Sequence, residues 1–158
     1  MAQGSGLDAS RLTTADKIVL GGAGIFFVWS LVPTWYRCCS VLGFEVDVAR
    51  VNGFRGVTAI AALLALVAAV EVVLRKMANV RYSLPARPGL IHVGVAVLGL
   101  LFTVIGPVSK PAGSSVSWGL FIGLLLALVW AYGAYMMYSE PEAPPTEPPV
   151  RPGAGSAG

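Results

Sequence analysis

Residues 56–74 read GVTAIAALLALVAAVEVVL, nineteen positions of almost pure Ala, Leu and Val, interrupted by Glu71 and followed by Arg75-Lys76. As a helix rising 1.5 Å per residue, the stretch reaches roughly 29 Å, about the thickness of a bilayer's hydrocarbon core. Working outward, three further stretches have the same character, over residues 18–36, 88–108 and 116–138. The expected fold is therefore an all-α membrane protein, a four-transmembrane-helix bundle over residues 13–138.

Composition agrees. The 158 residues are 56% hydrophobic and 12% charged, with a mean hydropathy of +0.74. Soluble domains carry about 25% charged residues, so half that share points to lipid as the solvent. The net charge of +3 does not imply nucleic acid, because the Lys and Arg residues stand singly or in pairs between apolar spans. That is how membrane flanks are built.

Residues 1–12 are small and polar without periodicity and read as a disordered arm. Thr13 or Thr14 then caps the first helix, with Asp16 in capping-box spacing from Thr13. The first span ends in Pro33-Thr34-Trp35-Tyr36-Arg37, which is no small-residue cleavage site, so it is expected to stay in the protein. Gly21, Gly22 and Gly24 near its start lack the preceding strand and following Lys of a phosphate loop. Close helix packing accounts for them better, with Gly21, Gly24 and Val28 on one face.

Between the first two spans, Phe44, Val46 and Val48 alternate with Glu45, Asp47 and Ala49, and Asn52-Gly53 signals a turn. This predicts a short β-like extracytoplasmic loop between helices 1 and 2. In the second span Ala61, Ala65 and Ala69 form an i, i+4 ladder, and in the fourth Gly119, Gly123, Ala127 and Ala131 do the same. Small residues let helix backbones approach closely in lipid, so both ladders are candidate helix-packing faces. Pro107 and Pro111 with Gly113-Ser114-Ser115 read as a short turn before the fourth span. The last twenty residues, 139–158, hold six prolines and read as a disordered Pro-rich tail with three PxxP spacings.

Seven of the eleven Lys and Arg fall on the side that holds both termini and residues 75–87. The positive-inside rule makes that side cytoplasmic, so a multi-pass arrangement with both termini inside is expected. Trp35, Tyr36 and Trp118 are expected at the outer interface, and Tyr132, Tyr135 and Tyr138 at the inner one.

Glu71 and His92 are the ionisable side chains within the spans, each about one turn inside the cytoplasmic interface. The simpler reading pairs Glu71 with Arg75 at i+4 and leaves His92 to water or backbone. The other brings Glu71 and His92 together across helices 2 and 3 as a proton-responsive pair. Cys38-Cys39 is a candidate redox pair at the outer interface, against reduced or buried thiols or an intermolecular bridge. With one distant His, the two cysteines supply no metal site. No Ser-His-Asp set arises from a single His, and Glu45 and Asp47 lie on an exposed strand face. No catalytic residue, cofactor or metal is expected.

Several features resemble a group of uncharacterised small four-pass membrane proteins from high-GC Gram-positive bacteria. The first helix ends in a Pro-Trp-Tyr cluster, here with Thr34 inserted. An outer loop leads to Asn52-Gly53-Phe54-Arg55-Gly56, with Phe54 where Trp is usual. Leu84-Pro85 precedes the third helix, and a Gly-rich fourth helix follows a short turn. The resemblance implies a four-pass architecture in a bacterial plasma membrane and carries over no functional residue. The expected function is a non-enzymatic scaffold or accessory subunit, its partners being the bilayer and a membrane protein or second copy. The alternative is a small transporter or proton-linked channel using Glu71 and His92.

Overall fold

The computed structural model describes residue 10 and residues 12–41, 44–78, 87–109 and 114–140. Most of the N-terminal arm, the tail from residue 141 with its PxxP spacings, and the side chains of Cys38 and Cys39 lie outside the described residues.

Helix α1 spans Thr14–Leu31. Its start is fixed by a reciprocal capping box: Asp16 N–H donates to Thr13 Oγ1 at 3.2 Å, and Thr13 N–H donates to Asp16 Oδ2 at 3.0 Å. The helix ends at Leu31 rather than Tyr36. Pro33 disfavours helical backbone in the residue before it, and Val32 is extended at φ −73°, ψ 131°. Trp35 and Tyr36 therefore leave the span, and Tyr36 opens a strand.

Strand β1 (Tyr36–Val41) pairs antiparallel with β2 (Phe44–Val51), in the register Tyr36↔Val51 and Arg37↔Arg50, with an irregularity between Cys38 and Ser40. The hairpin matches the alternation in the sequence. A third strand, β3 (Ser114–Val116), pairs with the other edge of β1, where Tyr36 faces Val116 and Arg37 faces Ser115. The order is β2-β1-β3. Ser114 and Ser115, expected in a turn, are strand residues because β1 offers them an unpaired edge.

Helix α2 (Gly56–Val72) begins at Gly56, whose φ of +56° is a left-handed conformation that a Cβ would strain. It continues as a π-helical turn, Val73–Met77. Helix α3 (Pro88–Ile105) starts on a proline, whose missing N–H costs nothing in a first turn, and runs into a 3₁₀ turn, Gly106–Ser109. Helix α4 is Trp118–Ser139. Helices α1 and α3 each pack on both α2 and α4, closing a four-membered ring. All three strands come from connections at one end of it.

All four helices are long and apolar enough to cross a membrane, which suggests a multi-pass membrane protein. The distribution of side-chain size supports this. On α2 the buried positions are mainly alanines, Ala61, Ala62, Ala65, Ala68 and Ala69, while Ile60, Leu63, Val67, Val70 and Leu74 are exposed. Small residues inside and large aliphatics outside suit lipid, where there is no hydrophobic force to draw large side chains inward.

The core is built round Trp130 of α4, which is fully buried. A Cβ on Gly22 of α1 would lie 2.9 Å from its backbone nitrogen, and one on Gly99 of α3 would lie 2.5 Å from its ring. Phe26 stacks nearby, with its ring centroid 6.3 Å from Trp130 and 6.0 Å from Trp35. Trp35 and Tyr36 are thus core residues rather than interfacial ones, whereas Trp118 is exposed. Release from the helix at Leu31 turns both inward, and the Trp35 indole donates to the Trp29 carbonyl at 3.0 Å.

Candidate functional site

The end of the bundle opposite the sheet gathers the starts of α1 and α3 and the ends of α2 and α4. Here the apolar surface gives way to charge. Glu71 lies in the last turn of α2 and His92 one turn into α3, and the packing of those two helices brings them together: His92 Nε2 is 2.6 Å from Glu71 Oε2. The other Glu71 oxygen, Oε1, lies 3.1 Å from Nε of Arg75, an ion contact between neighbours at i+4. Both contacts weighed from the sequence, Glu71 with Arg75 and Glu71 with His92, are present at once.

His92 is 3% exposed, and its Nδ1 has no hydrogen-bond partner. An ionised carboxylate only accepts, so Nε2 carries the hydrogen and donates it to Glu71. A cleft of about 60 Å³, lined by Val67, Ala68, Glu71, Ile91, His92 and Val95 among others, opens beside the pair.

A second ion pair lies beside the first. Lys76 Nζ is 3.4 Å from Oδ2 of Asp16, which is almost wholly buried in the first turn of α1. Arg75 also directs Nη2 at the Met137 sulfur of α4, 3.9 Å away. Adjacent residues of the π-helical turn thus reach two different neighbours, Arg75 to α4 and Lys76 to α1. Such turns often mark functional positions in helices. The capping spacing gave Asp16 only a local role; its pairing with Lys76 had no signal in the sequence beyond opposite charge near two helix ends. Between these helix ends is a cavity of about 540 Å³.

The packing ladders are used inside the chain. Ala61, Ala65 and Ala69 are buried against the bundle. Gly119 lies against Thr34, Gly123 against the Trp35 ring, and Ala127 is fully buried. Ala131 is only half-buried, and Trp130, Ala134 and Met137 continue the inward face in its place. Each i+4 step turns about 40° past a full helical turn, so a four-member ladder walks off the face it began on. In α1 the packed glycine is Gly22; among the described residues nothing lies within 4 Å of a Cβ position on Gly21 or Gly24.

Three of the deeper hydroxyls donate to nearby backbone carbonyls, while the buried Thr34 Oγ1 has no hydrogen-bond partner among the described residues. Ser30 donates to the Phe26 carbonyl at 2.8 Å, Thr103 to Gly99 at 2.8 Å and Thr58 to Arg55 at 2.6 Å. Tyr36, outside the helices, has its phenol pushed above the ordinary value by burial, an effect opposed by a hydrogen bond with Thr58. Among the described residues no three His, Cys, Asp or Glu side chains converge as metal ligands. No protein-family model matches the chain, and neither a curated protein nor a solved structure does so.

Proposed function

We propose that the protein is a multi-pass membrane protein acting as a non-enzymatic scaffold or accessory subunit, with both termini and the Glu71 end in the cytoplasm. The excess of Lys and Arg on that side supports the orientation. The sheet then covers the outer mouth of the bundle. The resemblance to four-pass proteins of high-GC Gram-positive bacteria is part of this proposal.

The observation that carries the reading is the pair of outward glycines on α1. A glycine in a helix interior costs about 1 kcal/mol relative to alanine, and Gly22 offsets this by letting α4 approach. Gly21 and Gly24 obtain no such contact among the described residues, and exposed Ile25 and Val28 flank them. A helix of another protein, or of a second copy, can lie against that face. The ladders on α2 and α4 do not contribute, since their contacts are internal.

The test is mild-detergent purification of the tagged full chain from its native membrane, with mass spectrometry of what accompanies it. A stoichiometric companion that is lost in Gly24→Leu supports the reading, because a Cβ at Gly24 meets nothing within 4 Å among the described residues. Elution as a lone monomer overturns it.

The close Glu71–His92 contact favours one other reading, a small transporter or proton-linked channel. Against it, Trp130, Phe26 and Trp35 fill the middle of the bundle, and the hydroxyls of Ser30 and Thr103 are turned to their own helices. Unchanged proteoliposome flux in the Glu71→Gln/His92→Gln variant between about pH 5 and pH 8, the range in which histidine titrates, would remove it.

A further inference from the structure

The cavity of about 540 Å³ at the polar end is lined, among other residues, by Asp16, Arg75, Lys76, Arg87, Tyr138 and Glu140. Three of these are cations and two are acids. Asp16 presents little of its charge to the cavity. It is 1% exposed, caps α1 through Thr13 and holds Lys76. Its effect is to position the ammonium. Arginine carries five N–H donors and lysine three. The contacts to Glu71, Met137 and Asp16 leave Arg75 and Lys76 with further donors for a ligand.

We propose that this cavity binds a phosphate group through Arg75, Lys76 and Arg87, the phosphate being that of an anionic phospholipid headgroup or a free phosphate ion. Paired guanidinium groups match phosphate oxygens in bidentate geometry, and the lysine adds a point charge. The position suits a headgroup. Rising along α2, the cations follow directly on the apolar run; the exposed Leu74 that precedes them offers surface to an acyl chain, and the exposed Tyr138 of the cavity wall offers an interfacial ring. Basic pockets between helices on the cytoplasmic side are where anionic headgroups are held. The headgroup form rests on the membrane reading above.

The experiment uses the full chain in neutral detergent, titrated in separate arms with dioctanoyl phosphatidylglycerol, dioctanoyl phosphatidylcholine and inorganic phosphate, with the saturable rise in unfolding temperature as readout. The expected result is a rise with phosphatidylglycerol that phosphatidylcholine does not match. A saturable rise with inorganic phosphate alone assigns the site to the free ion. Near a membrane surface each cation is worth about a fivefold change in affinity, so Lys76→Gln/Arg87→Gln should weaken binding about 25-fold. Lys76→Arg should retain it, and Arg50→Gln, on the exposed sheet at the other end, should not alter it. Equal response to both lipids with none to phosphate, or an unchanged affinity in the double variant, overturns the site. Flotation of the same protein with equimolar phosphatidylcholine–phosphatidylglycerol vesicles keeps the two readings apart. Failure to float overturns the membrane reading and the headgroup form together, whereas flotation without selectivity overturns the site alone.

Discussion

His92 Nε2 and Glu71 Oε2 lie 2.6 Å apart and join the start of α3 to the end of α2. The contact is short, His92 is buried, and Arg75 holds the opposite side of the same carboxylate. Removing the imidazole takes one partner from the carboxylate and opens the cleft beside Ala68. His92→Ala is expected to destabilise the protein by about 1–3 kcal/mol, through the lost hydrogen bond to a charged group and the space left in the packing. Thermal unfolding in detergent measures it. In a double-mutant cycle with Glu71→Ala, additive losses would show that the two side chains are not coupled.

Gly22 and Gly24, two residues apart on α1, should respond oppositely to the same change. A Cβ on Gly22 would press on the Trp130 backbone at 2.9 Å, where a main chain cannot give way, while Gly24 has open space. Gly22→Ala is expected to cost about 1–3 kcal/mol through overpacking. Gly24→Ala should be neutral or stabilising by about 0.5–1 kcal/mol through helix propensity. Equal effects on the unfolding midpoint would contradict the packing of α1 on α4.

Gly123→Ile is expected to act within the protomer. The new side chain would enter the ring of Trp35, so the variant should lose folded yield in size-exclusion chromatography at every protein concentration. A well-folded variant that differs only in oligomeric state would place the ladder at an interface between copies.

Gly56 has φ +56° at the first position of α2. Gly56→Ala should cost about 1–2 kcal/mol from the steric penalty of left-handed backbone, and comparison with Gly24→Ala separates this from helix propensity.

Tyr36 makes stability depend on alkaline pH. Its phenol titrates above the ordinary value of 10.0 in the folded protein, so the folded state holds the proton more tightly than the unfolded chain does. Stability from this group is complete below about pH 10 and is lost as pH rises through the folded value. Tyr36→Phe should therefore flatten the decline in unfolding temperature above about pH 10. An unchanged decline would assign it to other groups.

Much of the architecture is legible in the linear chain for direct physical reasons. Apolar runs matched to a bilayer's thickness yield the four helices, the Thr13–Asp16 spacing marks the start of α1, and Phe44, Val46 and Val48 alternate as a strand does. The end of α1 was also written there, in Pro33, but the uncharged residues that follow it obscured the break. Of the polar cluster, Glu71 and His92 stand out as charges in apolar spans. Asp16 and Lys76 do not, because each sits where a helix end ordinarily carries charge.

Which faces turn inward is a different matter. In a helix apolar all round, hydrophobicity does not distinguish core from surface, so the choice falls to steric fit between helices. That fit selects Gly22 over Gly21 and Gly24 and ends the α4 ladder at Ala127. It also seats Trp35 and Trp130 in the core and pairs β3 with an edge that residues 114–116 meet only after the helices have assembled. The runs of apolar residues set the number of helices, because each run is long enough to form one helix and is closed by charge or proline. Their contacts, and the meeting of Glu71 with His92 and of Lys76 with Asp16, depend on distances across the bundle that no local pattern encodes.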